Sequence, residues 1–336
     1  MQIFENHSLL HYNTFHVDAS ARYLIEVETE AELLAVLHQF QKEKKLILGG
    51  GSNILFTQDF EGVVIKVNIT GIKIIRENSN FIEVEVSAGE NWHQFVLWAV
   101  QQGYGGIENL ALIPGNVGAS VIQNIGAYGV EVKETVEYVK AIRMVDFQNI
   151  TLNHSDCKFG YRDSIFKHEL KNQLVITKVG FRLSKQPKLN TSYADVQKWL
   201  LEKNITEPTL QTIVEAVMEI RQAKLPNPSE LGNAGSFFKN PIISCTHFER
   251  WAKNYQKVPH FQVDTNFVKV PAGWLIEQCG WKGKQIGCVG VYPKQALVLT
   301  NLGNAQGKEI YEVAQQIQAS VSKKFDIWLE TEVNVL

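Results

Sequence analysis

The chain predicts an α+β fold built in several units, and three observations carry that expectation. At 336 residues it is too long for one ordinary hydrophobic core, so two or three domains are expected. Helical and strand patterns follow one another without the regular βα alternation of a doubly wound sheet. Glycine is concentrated in uncharged stretches, at positions 49, 50 and 51 and again at 115, 118, 126 and 129, which break both periodicities.

In chain order, Thr29-Glu-Ala-Glu32 fits a capping box, and Leu33, Val36, Leu37 and Phe40 then recur at helical spacing. Leu46-Ile-Leu48 reads as a short buried strand running into the triple glycine, and Val63 to Val67 as another. Ile72 to Ile75 and Phe81 to Val86 are strand-like, the second alternating Ile82, Val84 and Val86 with charged residues. A helix from about Trp92 to Gln102 ends at Gly103. Strands are expected at 136 to 145 and 173 to 183, and a helix at Thr209 to Ala223, stopped by the prolines of Lys224-Leu-Pro-Asn-Pro-Ser229. Further helices fall at about 272 to 279 and 307 to 323, and a last strand at Ile327 to Val335.

Composition excludes several function classes. Hydrophobic residues make up 45% of the chain and charged residues 20%, the balance of a soluble globular protein. A net charge of −2 offers no basic footprint for nucleic acid or an acidic membrane surface. No apolar run has the length of a membrane span, and the N-terminus lacks the basic-then-apolar pattern of an export signal, so a cytoplasmic protein is expected. Four widely spaced cysteines (Cys157, Cys245, Cys279, Cys288) suggest buried free thiols, and neither they nor the scattered histidines have metal-ligand spacing.

The segment from Ile113 to Gly129 carries no charged side chain. Its glycines allow a ligand to press against backbone, while Ser120, Gln123 and Asn124 supply neutral hydrogen bonds. Gly49-Gly-Gly-Ser-Asn53 is a second cluster of this kind. Neither matches Gly-x-G-x-x-Gly or a P-loop, and one alone could be a tight loop. Two together point to a cofactor with a diphosphate, bound by backbone N–H groups. Downstream, Arg162 in Phe159-Gly-Tyr-Arg-Asp-Ser164 suits a carboxylate clamp, or a local pair with Asp163. Ser236 in Gly232-Asn-Ala-Gly-Ser-Phe-Phe-Lys-Asn-Pro241 is a proton donor or a turn serine. Glu330 and Glu332 are two apart near the end of the chain. Arg221 and Lys224 either bind phosphate or sit on the solvated last turn of a helix.

Taken in series, Leu48-Gly-Gly-Gly-Ser-Asn-Ile-Leu55, Ile113-Pro-Gly-Asn-Val-Gly118, Gln123-Asn-Ile-Gly-Ala-Tyr-Gly129, Tyr161-Arg-Asp-Ser164, the 232–241 motif and Leu329-Glu-Thr-Glu-Val333 resemble the UDP-N-acetylenolpyruvoylglucosamine reductase family over nearly the full length. Tyr193 in Thr191-Ser-Tyr-Ala-Asp195 resembles the mobile-loop tyrosine of its type I branch. The resemblance implies a two-subdomain FAD-binding fold of the vanillyl-alcohol oxidase type, here 1–69 and 70–205. It implies a third, α+β substrate-binding domain at 206–323, with 324–336 returning to the active site. It also implies NADPH as hydride source and FAD held non-covalently, since 113–129 contains neither histidine nor cysteine. The cofactor-binding set would be Gly49, Gly50, Gly51, Ser52, Asn53, Ile113, Pro114, Gly115, Ser120, Asn124, Gly126 and Tyr161. Arg162 would hold the substrate carboxylate, Ser236 would protonate the carbanion and Glu332 would serve the enolate, leaving Glu330 structural. Tyr193, Lys224, Asn240 and Gln295 would contact the nucleotide sugar or the nicotinamide cofactor. No metal, nucleic acid or membrane partner is implied, and a monomer is expected. Thr331 stands where relatives often carry proline. Two other readings are an FAD-dependent alcohol oxidase of the same fold, against which the pairing of Ser236 with Glu332 argues, and a non-catalytic nucleotide-binding protein, against which retention of Arg162, Ser236 and Glu332 together argues.

Overall fold

A computed structural model describes residues 1–336, which divide into two compact units. The first comprises residues 1–7, 21–51 and 60–223, and the second 8–20, 52–59 and 224–336. No helix is long and apolar enough to cross a membrane.

The first unit contains a four-stranded sheet in the order Gln2–Ser8, Ser20–Val27, Phe60–Val67, Lys45–Leu48. The strand Phe60–Val67 runs parallel to both of its neighbours and is apolar on both faces, as a parallel strand covered on both sides requires. Helix Glu30–Gln39 starts as the sequence indicates: the Thr29 hydroxyl accepts the amide of Glu32 at 3.1 Å, and Leu33, Val36 and Leu37 are buried. The Glu32 carboxylate reaches back to accept the Glu28 amide at 2.8 Å, one residue before the cap.

Five antiparallel strands form the other large sheet, in the order Asn149–Asn153, Val136–Arg143, Leu174–Ser184, Phe81–Ser87, Ile72–Glu77. Helices Trp92–Gln101, Ala194–Glu202 and Leu210–Lys224 also belong to this part of the chain. Trp92, Phe95 and Phe181 pack among its buried side chains with ring centroids 4.9–6.1 Å apart. Gly103 takes φ +78° just past the first of these helices, the left-handed stop expected of it.

In the second unit an antiparallel sheet runs Gly232–Ser236, Val298–Asn301, Val289–Val291, Gln285–Ile286. Helices Ala272–Gln278 and Gly307–Phe325 flank a core of Phe237, Phe238, Leu275, Ile276, Ile317 and Phe325. The expected strand at Ile327 to Val335 is mostly extended chain without regular pairing. It makes one bridge, Thr331 with Phe238, before Asn334–Val335 pairs in parallel with Ile54–Leu55. All four cysteines are free, but only Cys157 is buried and Cys288 is exposed, which corrects the expectation of buried thiols.

Candidate active site

The two glycine clusters meet backbone to backbone within the first unit. A Cβ on Gly50 would lie 2.8 Å from Gly115 Cα, and one on Gly118 would lie 2.6 Å from the Ala88 Cβ. No larger residue fits either place without moving backbone. Lys66, on the buried strand Phe60–Val67, donates to the Gly49 carbonyl and so holds the first glycine turn; burial pushes its ammonium below its ordinary range. Between the clusters lies the Asn116 side chain. Its amide donates to the Gly89 carbonyl at 2.5 Å, while its Oδ1 is buried without a donor. A buried acceptor left open beside two side-chain-free turns is what a hydroxylated cofactor would satisfy, so these residues fit the FAD expected here.

Beyond Ile113, Pro114 and Gly115, the segment turns through a short helix at Val117–Ser120 and closes as a hairpin, Gly126–Ala127 against Val130–Glu131. The two-residue turn Tyr128-Gly129 has φ of +49° and +83°, the signature of a hairpin turn that normally favours asparagine at its first position. Ser120 and Asn124 have their side chains engaged internally. The Ser120 hydroxyl donates to the Val117 carbonyl at 2.6 Å. The Asn124 amide donates to the Gly160 carbonyl at 2.8 Å and to Glu131 at 3.0 Å, while its Oδ1 accepts from Lys133. Both are buried supports of the segment.

Arg162 stands over that hairpin. Its guanidinium donates to the carbonyls of Gly126 and Asn124, and a Cβ on Gly126 would come within 2.8 Å of its Nη1. The Arg162 backbone is left-handed, φ +52°, inside the tight bridge that joins Gly160 and Asp163. Asp163 pairs with His168 at 2.8 Å. Tyr161 lies beside the guanidinium, 5.4 Å from ring centroid to Cζ.

On the helix Leu210–Lys224 the sequence left Arg221 and Lys224 equivalent. The structure separates them: Lys224 is exposed, whereas the Arg221 guanidinium is withdrawn from solvent beside the Tyr128 hydroxyl, with Nε unpartnered. Tyr193 packs edge-on to Tyr128 at 5.2 Å.

The second unit brings Ser236 and Glu332 onto paired backbone. The strand Gly232–Ser236 changes register between Asn233 and Ser236, with Gly235 at φ +68°, a bulge that re-aims the residue following it. The Ser236 hydroxyl makes no hydrogen bond within the chain. Next to it, the Phe237 carbonyl accepts the amide of Glu332 at 2.8 Å. On its other side the Glu332 carbonyl accepts from Asn53 Nδ2 at 3.2 Å, and the Asn53 carbonyl accepts from the Asn334 amide at 3.1 Å and its side chain at 3.0 Å. Glu330 is exposed and paired with Lys239 at 3.0 Å. Asn240 and Gln295 converge on the start of helix Ala272–Gln278: Asn240 Oδ1 accepts from Ala272 at 2.9 Å, and Gln295 Oε1 crowds Gly273. Sequence reasoning gave no role to Asn116, although it lies within the Ile113–Gly118 motif, and missed Lys66, a single polar residue with no motif of its own. It also missed the link from Asn53 to Glu332, which spans 279 positions.

Residues 21–151 match an FAD binding domain, and residues 227–336 match the C-terminal domain of UDP-N-acetylenolpyruvoylglucosamine reductase. A Flavobacterium johnsoniae protein described as UDP-N-acetylenolpyruvoylglucosamine reductase is 49% identical over the whole of both chains, and one from Amoebophilus asiaticus is 46% identical over the same share. The crystal structure of the Thermus caldophilus reductase superposes with a TM-score of 0.69 at 22% identity, covering 99% of this chain and 98% of that one, which supports the fold. The chain belongs to the UDP-N-acetylenolpyruvoylglucosamine reductase family.

Proposed function

We propose that Arg162, Ser236 and Glu332 carry the reaction of this FAD-dependent enzyme, a UDP-N-acetylmuramate dehydrogenase. The reaction reduces UDP-N-acetylglucosamine enolpyruvate to UDP-N-acetylmuramate at the expense of NADPH, in peptidoglycan precursor synthesis. FAD, bound by the glycine clusters, supplies hydride relay between nicotinamide and sugar.

The chain's own residues handle charge and protons. Addition of hydride to the distal enol carbon leaves a carbanion, delocalised as an enolate, beside the substrate carboxylate. Arg162 offers a planar fork of donors for that carboxylate. Its left-handed backbone and the missing side chain at Gly126 fix where the fork sits. Ser236 delivers the proton to the carbon next to the carboxylate. A serine hydroxyl is a weak acid, so its contribution comes from placement rather than from a matched pKa. The bulge at Gly235 supplies that placement, and the absence of an internal partner leaves the hydroxyl available. Glu332 serves the enolate oxygen. Groups of this kind, aimed at charge that develops in the transition state, are worth about 10²–10³ in rate each.

One observation supports the reading: the Glu332 amide is bonded to the carbonyl that follows Ser236, so two residues 96 apart in sequence lie on adjacent backbone. Lys224, Asn240 and Gln295 are assigned to the diphosphate and uridine of the sugar, and Tyr193 to a loop that contacts either nucleotide. We read the protein as a cytoplasmic monomer. Ser236→Ala tests the mechanism in stopped flow. NADPH should still bleach the flavin at the wild-type rate, while reoxidation by the enolpyruvyl sugar falls by about 10² or more. Normal reoxidation would remove Ser236 from the mechanism.

A further inference from the structure

Lys66 stands where the fold asks for an apolar side chain. Its strand, Phe60–Val67, lies between two parallel neighbours, and Gly62, Val63, Val64, Ile65 and Val67 around it are all buried. In the sheet Lys66 is opposite Glu26 on one side and Leu48 on the other. Burial outweighs the attraction of Glu26 and pushes the lysine pKa down, while the Glu26 carboxylate accepts from Asn68 Nδ2 at 3.0 Å. Lys66 Nζ donates to the Gly49 carbonyl. One neutral acceptor is a poor match for an ammonium with three donors and a full charge. A cation withdrawn from water in this way is unfavourable unless negative charge compensates it.

The carbonyl that Lys66 holds shows where that charge would sit. The Gly49 carbonyl and the Gly50 amide belong to one trans peptide, so they point in opposite directions. Lys66 occupies the carbonyl end. At the other end the Gly50 amide has no acceptor within the chain, and Gly50 is exposed. Hydrogen bonds in series polarise one another, so an amide whose carbonyl is held by an ammonium becomes a stronger donor to an anion. Gly50 lies where the two glycine clusters meet, with room for no Cβ beside Gly115 Cα and Asn116 Oδ1, and inside the FAD-binding match at 21–151.

The oxidised ring and the sugars of FAD are neutral, and its diphosphate carries the negative charge. Backbone amides are natural partners for such a group. We propose that Lys66 is a positioning residue for FAD, a cation behind the Gly49–Gly50 peptide whose charge reaches the cofactor diphosphate through the Gly50 amide. The inference rests on the reading of the glycine clusters as the diphosphate cradle.

The test compares wild type, Lys66→Gln and Lys66→Arg, each purified with FAD. Glutamine keeps a donor for the Gly49 carbonyl and removes the charge; arginine keeps both. Riboflavin, which has the same ring and no phosphate, competes with FAD in equilibrium dialysis without NADPH or sugar, and the preference for FAD over riboflavin is read. Lys66→Gln should lose at least tenfold in that preference, the effect of a unit charge acting across one peptide. Lys66→Arg should retain most of it. An unchanged preference in Lys66→Gln, with both affinities lowered together, would make the lysine a support of the turn alone and overturn the proposal. Unchanged affinities with a raised KM for NADPH or the sugar would assign the charge to another phosphate and also overturn it. A tenfold loss of preference in Lys66→Arg would do so too, whether or not Lys66→Gln folds. A wild-type protein that holds riboflavin as tightly as FAD would instead sink the diphosphate reading of the clusters itself.

Discussion

Arg162 sits at φ +52°, a conformation that costs a residue with a side chain about 1–3 kcal/mol. The cost is met locally, by the Gly160–Asp163 bridge and by guanidinium bonds to the carbonyls of Gly126 and Asn124. Gly126 is where this arrangement can be tested without touching a charged group. In Gly126→Ala the new methyl would lie 2.8 Å from Arg162 Nη1 and 3.0 Å from the Val130 carbonyl, so the guanidinium must withdraw. We expect reoxidation of the flavin by the sugar to slow about 10-fold or more, roughly 1.4 kcal/mol of lost positioning, with FAD content and NADPH oxidation near wild type. Unchanged kinetics in both half-reactions would show that the guanidinium tolerates displacement. The sequence marked Arg162 by residue type and neighbours, which suffices for a clamp. Its backbone strain was hidden, because an arginine gives no sign of a positive φ, whereas the glycine beside it does. For Ser120 and Asn124 the sequence showed neutral polarity inside a glycine-rich stretch, but could not show that their side chains are occupied within the fold.

At the scale of elements, the terminal segment was legible in its alternation and illegible in its pairing. Ile327, Leu329 and Val333 are buried, as a strand pattern predicts. Their backbone, however, finds partners in two stretches remote in sequence, at 237–239 and 53–57. Thr331 faces Phe238 as a non-hydrogen-bonded pair, since the flanking bonds run from Lys239 to Glu330 and from Glu332 to Phe237. The bridge requires no amide at 331, so a proline there would cost no ladder hydrogen bond. Asn53 closes the other side of Glu332. Asn53→Asp keeps the shape but replaces the Nδ2 donor with an acceptor that faces the Glu332 carbonyl. The expected effect is a several-fold slower second half-reaction, and in a Glu332→Gln background the same substitution should add little, because both act through one backbone position. Additive losses would instead place Asn53 on a separate function, such as direct contact with FAD.

At the scale of the whole chain, the two units are interleaved in sequence: segments 8–20 and 52–59 belong with 224–336. Asn233 bonds to Thr14, Asn301 to Phe15 and Leu336 to Leu55, contacts that no local pattern announces. The five-stranded sheet of the first unit was far more legible, because Ile82, Val84 and Val86 alternate with Glu83 and Glu85. What the alternation does not reveal is that Glu85 is itself buried. Its carboxylate pairs with Lys140 at 2.5 Å and Lys178 at 3.9 Å and accepts from the Tyr138 hydroxyl at 2.9 Å. The Tyr138 ring reaches it by lying across Gly180, where a Cβ would clash at 2.4 Å. Burial alone would raise the Glu85 pKa, but the hydrogen bonds from Lys140 and Tyr138 and the charges of Lys140 and Lys178 outweigh it and hold it below the usual carboxylate range. A carboxylate with a lowered folded-state pKa contributes stability that is fully present above its unfolded value, near 4.5, and is lost as pH falls through the folded value. Thermal melts of the wild type should therefore hold steady from pH 7 to about 5 and drop steadily below that. Glu85→Gln should cost about 1 kcal/mol at pH 7, since its lysine partners remain partly solvated. It should then flatten the acid slope, so that the two melting curves converge as pH falls through the lowered folded-state value. Parallel curves across that range would mean that the Glu85 network does not govern the acid sensitivity of the sheet, and that other carboxylates with lowered pKa values, such as Glu83 between Arg76 and Arg182, do.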